Sequence, residues 1–329
     1  MGEQAMRALV LSEYDGPKAL KIVDVEVPRR AADELLVEVR SIGINFPDLL
    51  FVKGQYQHRP DPPVVPGCEI AGVVVDAPAE SGFLVGDHVA AFIWDGGFAE
   101  YARVPLRQAV PIPEHVSFAE AAGGLVNNHT AHFALARRGR TTPGDVVFVL
   151  GAAGGVGTAA LQVATGLGAR VIAGVSRPDR ASVARAAGAA EVIVLKEGFA
   201  AEVREMTGGR GVDVVVDPVG GWLSGEALRA LAPEGRLMVV GFAAGEIPQV
   251  RFNRLLLRNI SVMGVAFGAF IDLEPALMPA QAVALDEMSR RGIVRPQIDT
   301  QFAFEEIPEA LARLDAGDIA GKAVAVIRG

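Results

Sequence analysis

Val146-Val147-Phe148-Val149-Leu150-Gly151-Ala152-Ala153-Gly154-Gly155-Val156-Gly157 is the stretch on which the fold of this chain turns. The five leading residues are apolar without alternation, the pattern of a short strand buried on both faces. Gly151-x-x-Gly154-x-x-Gly157 follows at once and opens a helix through Ala159, Ala160, Leu161, Val163, Ala164 and Leu167. That helix closes at Gly168 and feeds a second apolar run, Arg170–Val175. Glycines at this spacing let the backbone turn tightly and come close to a pyrophosphate. The helix start behind them offers free N–H donors and a favourable dipole. A glycine triplet alone is a weak signal, and the other reading is an ordinary strand-to-helix turn. Strand, triplet, helix and second strand in sequence point to a dinucleotide site made by Gly151, Ala153, Gly154, Gly155, Val156 and Gly157.

Further apolar strand candidates follow at Glu191–Leu195, Val212–Asp217, Gly235–Val240 and Ile260–Val265, with helical stretches between most of them. Buried strands alternating with helices predict a parallel, doubly wound sheet. Upstream the texture differs. Arg7–Leu11, Glu34–Arg40, Ala71–Val75 and His88–Phe92 are short runs punctuated by Pro and Gly, as in a compact β domain. Ser117-Phe118-Ala119-Glu120 fits a capping box at a helix start. The chain turns helical again after about Phe267, and ends in a strand candidate, Ala323–Ile327. The expected division is therefore a β-rich domain over 1–122, the dinucleotide domain over 123–265, and a return to the first domain over 266–329.

Composition narrows the function. With 329 residues, the chain has room for about two domains. A net charge of −8 and a pI near 5.3 argue against nucleic acid as a partner. No apolar run approaches the roughly 20 residues that span a bilayer, and the start of the chain lacks a signal-peptide pattern. Cys68 is the sole cysteine, which excludes an internal disulfide and makes the cytoplasm the expected compartment.

The end of the second strand selects the cofactor. An NAD site usually carries Asp or Glu about 20 residues past the glycines, to accept from the ribose 2′-OH. Here the residues are Val175-Ser176-Arg177-Pro178-Asp179-Arg180. Ser176 can donate to a 2′-phosphate, and the guanidinium forks of Arg177 and Arg180 match its oxygens. The alternative is that these arginines solvate a helix start, with Asp179 neutralising one of them. The expected cofactor is NADPH.

Several segments in a fixed order carry a family resemblance across the chain: Ser41–Asp48, Pro66–Gly72, Val85–Val89, Gly96–Tyr101, Val126–Ala131, the glycine turn, Asp217–Gly221 and Gly241-Phe242. The sequence resembles a zinc-independent medium-chain dehydrogenase/reductase of the quinone oxidoreductase group. The resemblance implies an α/β protein with a GroES-like β domain and a Rossmann domain, an active-site cleft between them, and dimers that pair the sheet edge near Val262 to Val265. It implies hydride transfer from NADPH to a quinone or to an activated carbon–carbon double bond. Zinc-dependent relatives place Cys where this chain has Asn45 and His where it has Cys68, and they carry a four-cysteine lobe. Asn45 is a poor zinc ligand and one cysteine cannot build the lobe, so no metal is expected.

The resemblance also implies site residues. Asn45 matches a position beside the nicotinamide, where its amide would donate to the substrate oxygen; the other reading is a turn-stabilising Asn. Tyr56 matches an aromatic near the cleft, able to donate or to stack on a quinone, or else a loop tyrosine. Asn127 and Thr130 belong to the segment near the nicotinamide. His129 and His132 lie beside them as conceivable proton sources, with His132 better read as helix packing. Gly241 and Phe242, then Phe267 and Gly268, follow strand ends, where ligands bind in such sheets. Lys322 matches a basic position that often reaches the cofactor, with a plain surface lysine as the alternative. Leu195 stands where relatives often carry a tyrosine beside the phosphate site. The competing functions are reduction of enones, enals or enoyl thioesters, and cofactor binding without significant catalysis, as in a sensor, a structural protein or an RNA-binding adaptor. A zinc alcohol dehydrogenase is a further option.

Overall fold

The structure, a computed structural model, describes residues 4–327. Its contacts divide the chain into two units. The first runs to Val126 and adds Ile271–Ala280 and the chain from Ile298 on; the second is Asn127–Phe270 with Gln281–Gln297. The division thus falls at 126/127, and 266–270 and 281–297 group with the dinucleotide domain instead of returning to the first. The helices Phe118–His132 and Leu277–Arg290 each contribute residues to both units, a division that periodicity does not mark.

The second unit is built on a six-stranded parallel sheet. From edge to edge it runs Glu191–Val194, Arg170–Val175, Val146–Val149, Val212–Asp217, Leu231–Val239, Ser261–Gly264. In chain order that is third, second, first, fourth, fifth, sixth, the doubly wound Rossmann arrangement, with its switch point beside the first strand. Val146–Val149 is buried along its whole length, as its unbroken apolar run predicts. Phe148, Ile172, Val215 and Leu237 from four adjacent strands pack with Phe199 and Leu223 from the flanking helices.

In the first unit, Ala5–Leu11 and Leu20–Glu26 form an antiparallel hairpin. A seven-stranded sheet carries Ile298–Ala303, Lys322–Val326, Glu34–Ile44, Glu69–Asp76, His88–Phe92 and Ala109–Pro111 in that order, with Tyr101–Pro105 also pairing to Glu34–Ile44. Glu34–Ile44 alternates buried and half-buried residues to Arg40 and is then wholly buried from Ser41 to Ile44. The half-solvated strand thus becomes a two-sided one. Lys322–Val326 pairs antiparallel with it, Ala323 opposite Ile44 and Val324 opposite Gly43. The chain end is thereby delivered beside Asn45. Leu20–Glu26 and Ile298–Ala303 carry little apolar periodicity; both are largely exposed, and their pairing partners hold them extended. The Ser117 capping box forms, with Glu120 accepting from the Ser117 N–H at 3.0 Å.

Gly157 is where the glycine turn meets its own helix. A Cβ there would lie 2.2 Å from the Gly151 carbonyl oxygen and 2.8 Å from Ala152 Cα, both backbone. At Gly154 a Cβ would meet only the Gly151 oxygen, at 3.4 Å. Gly157→Ala is therefore expected to lower stability by on the order of 2–4 kcal/mol, while Gly154→Ala stays within about 1 kcal/mol of the parent. Urea unfolding of the two variants checks this; equal losses would contradict it.

Candidate functional site

The glycine turn is held from three directions. Leu150 N–H donates to Val216 O at 3.0 Å, Ala152 N–H to Gly174 O at 3.0 Å, and Gly154 N–H to Gly151 O at 3.0 Å. Gly151 itself has φ +57°, a conformation natural to glycine. Gly154 is the N-cap of the helix Gly155–Gly166 and makes no side-chain cap. The first-turn N–H groups are thus left for another acceptor, and no side chain crowds the position a Gly154 Cβ would take. This uncapped, side-chain-free cradle fits a dinucleotide pyrophosphate. Asn127 lies against it: a Cβ at Gly155 would stand 2.6 Å from Asn127 Nδ2. Asn127 and Thr130 are both buried.

At the second strand end, Ser176 and Arg177 are exposed and Arg180 is partly buried. Asp179 Oδ1 lies 3.3 Å from Arg177 Nε and Asp179 Oδ2 lies 3.9 Å from Arg180 Nε, so one carboxylate serves both guanidinium groups. Leu195 packs over Gly174, whose absent Cβ would meet Leu195 Cδ2 at 2.7 Å. Gly241 and Phe242 follow the strand Leu231–Val239, with Phe242 half-exposed. Phe267 opens the short helix Phe267–Ile271; its buried ring tilts against His129 and Phe133, with centroids 5.7 and 6.1 Å away. Gly268 follows it in the same helix.

His129 does not carry a proton at neutral pH. Complete burial pushes its pKa down to about 4, against a raising hydrogen bond to Gln281. His129 Nδ1–H donates to Gln281 Oε1 at 3.0 Å, and Gln281 Nε2 donates back to the His129 carbonyl at 3.4 Å. Burial also lowers the His132 pKa. Burial thus disfavours the protonated form of both imidazoles.

In the first unit a second cluster forms around Asn45, and much of it escapes sequence reasoning. Asn45 Nδ2 donates to Gly43 O at 3.2 Å and to Glu69 Oε2 at 2.9 Å. The Lys322 ammonium donates to Glu69 Oε2 at 2.7 Å and to Asn45 Oδ1. Glu69 Oε1 accepts the Val126 N–H at 2.7 Å. The Lys322 and Glu69 side chains are 4% and 0% exposed, so the pair is fully desolvated. Gly43 permits the approach, because a Cβ there would lie 2.1 Å from Glu69 Oε2 and 2.1 Å from the Ala122 oxygen. Both amide hydrogens of Asn45 are engaged inside the fold. Lys322 is buried rather than a surface lysine, its ammonium held by Glu69 and Asn45.

Asp48 completes the cluster. Its Oδ2 accepts the Asn45 N–H at 2.8 Å, and its Oδ1 accepts the Cys68 N–H at 3.0 Å. The first contact is half of a capping box on the helix Phe46–Val52. Burial pushes the Asp48 carboxyl up to about 6 despite these donors. Burial likewise pushes the Cys68 thiol well up, which keeps it protonated and unreactive. Tyr56 is partly buried against the same core and its hydroxyl is pushed up to about 12, chiefly by desolvation. It therefore stays protonated, as a hydrogen-bond donor. Among the described residues, no group of three or more His, Cys, Asp or Glu is placed to hold a metal ion. Glu69 and Asp48 were findable: an acid inside the apolar run Cys68–Val75, and an Asn-x-x-Asp pair at a helix start, are both local signals.

Two buried groups give opposite pH signatures. The folded Asp48 keeps its proton up to about pH 6, well above the ordinary range of a carboxylate. Its stabilising contribution is complete below about pH 4 and is lost as pH rises through 6. The folded His129 gains a proton only near pH 4, below 6.5. Its contribution is complete above 6.5 and is lost as pH falls through 4. Each displacement corresponds to on the order of 3 kcal/mol. Urea unfolding across pH 4–7 is expected to show Asp48→Asn gaining less stability on acidification than the parent, and His129→Gln losing less. The reverse order would contradict these assignments.

Comparison with known proteins agrees with this geometry. The Alcohol dehydrogenase GroES-like domain family matches residues 31–114 and the Zinc-binding dehydrogenase family matches 155–282. Quinone oxidoreductase-like protein 2 of Bos taurus is 37% identical over 320 residues, covering 96% of this chain and 91% of the relative. The crystal structure of a probable oxidoreductase from Mycobacterium abscessus has 42% identity and a TM-score of 0.91, covering 99% of this chain and 100% of that one. The Escherichia coli quinone oxidoreductase, solved in complex with NADPH, is 25% identical with a TM-score of 0.89, covering 97% of this chain and 99% of that one. With a GroES-like β domain, a Rossmann sheet in the 3-2-1-4-5-6 order and full-length relatives, the chain belongs to the quinone oxidoreductase group of the medium-chain dehydrogenase/reductase superfamily.

Proposed function

We propose that this protein uses NADPH to reduce a quinone, without a metal ion. The observation that carries the reading is the second strand of the parallel sheet. It ends at Val175 with no acid, and Ser176, Arg177 and Arg180 follow on the exposed turn. Two guanidinium groups beside the place of the ribose suit a 2′-phosphate. The pyrophosphate rests on Gly151–Gly157, and Asn127, Thr130, Gly241, Phe242, Phe267 and Gly268 line the remaining length. NADPH supplies the hydride, and the chain supplies position and a proton-bearing donor. Tyr56, partly buried against the core of the first unit with its hydroxyl protonated, is taken as that donor. It meets the charge that develops on the acceptor oxygen. Conjugated carbonyls present the same demand, so they form the second acceptor class.

The protein is further proposed to act as a homodimer in the cytoplasm. Ser261–Gly264 is an edge strand whose outer side has no partner in its sheet. Phe252, Leu256 and Leu257, in and just after the helix Phe252–Leu256, are 81%, 75% and 78% exposed in the same unit. An open edge and exposed apolar side chains in the same unit favour a second copy. No helix among the described residues is long and apolar enough to cross a membrane.

Three experiments test these readings. Arg177→Ala/Arg180→Ala is expected to raise the NADPH dissociation constant at least tenfold and spare NADH, by calorimetric titration; equal loss for both would refute the phosphate site. NADPH oxidation is then followed with quinones and with conjugated carbonyls. Faster turnover of quinones supports the proposal, faster turnover of enones or enoyl thioesters favours the second class, and NADPH binding with no turnover leaves a cofactor-binding protein. Leu256→Glu/Leu257→Glu is expected to halve the mass seen by analytical ultracentrifugation; an unchanged dimer would place the interface elsewhere.

A further inference from the structure

A buried carboxylate stands at the end of the fourth strand of the parallel sheet, in Asp217-Pro218-Val219-Gly220-Gly221. The first and fourth strands, Val146–Val149 and Val212–Asp217, are neighbours, and the order of the sheet reverses between them. Ligands of such sheets lie in the crevice outside the strand ends at that reversal. The glycine turn is one lip of that crevice and Pro218–Gly221 is the other. Asp217 is 1% exposed. Its Oδ1 accepts the Val219 N–H at 2.9 Å and the Gly220 N–H at 2.8 Å, and its Oδ2 accepts from the Ser224 hydroxyl at 2.5 Å. Its carbonyl accepts the Val240 N–H at 2.9 Å. The turn after the fifth strand is tied on at the same place, because Ala243 N–H donates to Pro218 O at 3.2 Å and Ala244 N–H to Val219 O at 2.9 Å. Val219 reaches back to the first lip: a Cβ at Gly151 would stand 2.8 Å from Val219 Cγ2. One residue thus knits three strand ends, all within the second unit.

We propose that Asp217 and Ser224 are positioning residues for the cofactor, which hold the turn Pro218–Gly221 closed on the glycine turn. This rests on the reading that the pyrophosphate lies on Gly151–Gly157. Both residues act through the turn. Gly220 and Gly221, at φ +76° and +61°, give that turn wide conformational freedom when nothing anchors it. An unanchored lip has to be ordered at the moment of binding, which lowers affinity; an anchored one is ordered beforehand. The part of the cofactor concerned is common to NADPH and NADH, unlike the 2′-phosphate assigned to Arg177 and Arg180. The chemistry of the anchor also separates two replacements. The amide oxygen of an asparagine at 217 can accept the same two backbone N–H groups, and the Ser224 hydroxyl can turn to accept from its –NH2. An alanine there removes all three bonds.

Calorimetric titration with NADPH and with NADH, alongside urea unfolding, tests the anchor without turnover. The proteins are the parent, Asp217→Asn, Asp217→Ala, Ser224→Ala and Val203→Ala. The last truncates a fully buried side chain on the helix Phe199–Met206 of the same unit, and reports what lost stability does by itself. Asp217→Ala is expected to raise the dissociation constants of both cofactors by one common factor, roughly tenfold or more, and Ser224→Ala by about threefold, as the lost hydrogen bonds warrant. Asp217→Asn stays within about twofold of the parent. Val203→Ala binds both cofactors as the parent does, although it unfolds at lower urea. Unchanged NADPH binding in Asp217→Ala, or an equal loss in Val203→Ala, overturns the proposal. A loss in Asp217→Asn as large as in Asp217→Ala also overturns it, because the amide keeps the backbone bonds. So does a loss for NADPH that spares NADH. Where Asp217→Ala fails to fold, Ser224→Ala decides by the same criteria. A parent that binds neither cofactor would instead sink the NADPH reading, a separate outcome.

Discussion

The buried pair of Lys322 and Glu69 is the constraint around which the first unit is organised. Two unit charges without solvent cost several kcal/mol each to desolvate, and the cost is offset only where every lone pair and proton finds a partner. Glu69 meets that demand with three donors: the Val126 N–H, the Asn45 amide and the ammonium. Those partners come from a helix, a strand end and the last strand of the chain, so the charge pair can be satisfied only in one arrangement of all of them. Gly43 follows from the same demand, since a side chain there would occupy the position of the Glu69 carboxylate. A hydrophobic core accepts many packings of similar volume. A buried ion pair with directional partners accepts far fewer.

Burial acts differently on each titratable group of that cluster, and the differences assign their roles. Asp48 has two backbone donors and no ammonium in contact, so desolvation wins and its carboxyl rises to about 6. Glu69 has the ammonium. Cys68 is small and enclosed, and the raised thiol behaves as an apolar side chain. Tyr56 is less enclosed, but loses enough water to keep its proton to about 12. A single cause, removal of water, thus yields a helix cap, an inert thiol and a durable donor, depending on which partners each group retains.

The legibility of these features in the sequence tracks the range of the interactions behind them. The parallel sheet was readable because its strands appear as short, mostly apolar runs alternating with helical stretches, and the glycine turn because its geometry is local. The Ser117 capping box likewise needs only four residues. The Lys322–Glu69 pair lies 253 residues apart in the chain and has no local mark except an acid in an apolar run. Lys322 was therefore legible as a basic residue and illegible as a buried one. A turn-stabilising role was one of two readings of Asn45, but its hydrogen-bonding direction depends on two charges that only the tertiary structure brings to it. The helices Phe118–His132 and Leu277–Arg290 show the same limit, since nothing in their periodicity says that they serve two units.

A last physical question is how a chain of net charge −8 accommodates an anionic dinucleotide. The net charge is spread over the surface and is screened over about 8 Å at physiological salt. The glycine turn acts at hydrogen-bond distance. At Gly154 the helix start has no side-chain cap, and in most helices Ser, Thr, Asp or Asn would satisfy its first N–H groups. Such a residue would both consume the donors and fill the space above them. Glycine at this position therefore does two things at once: it admits the backbone approach, and it leaves the N–H groups and the helix dipole unspent for phosphate oxygens. The same logic reads Asp179. Between Arg177 and Arg180 it neutralises part of the local positive charge of the turn. Short-range donors whose partners are withheld, rather than the overall field, are what make an acidic protein a binder of an acidic cofactor.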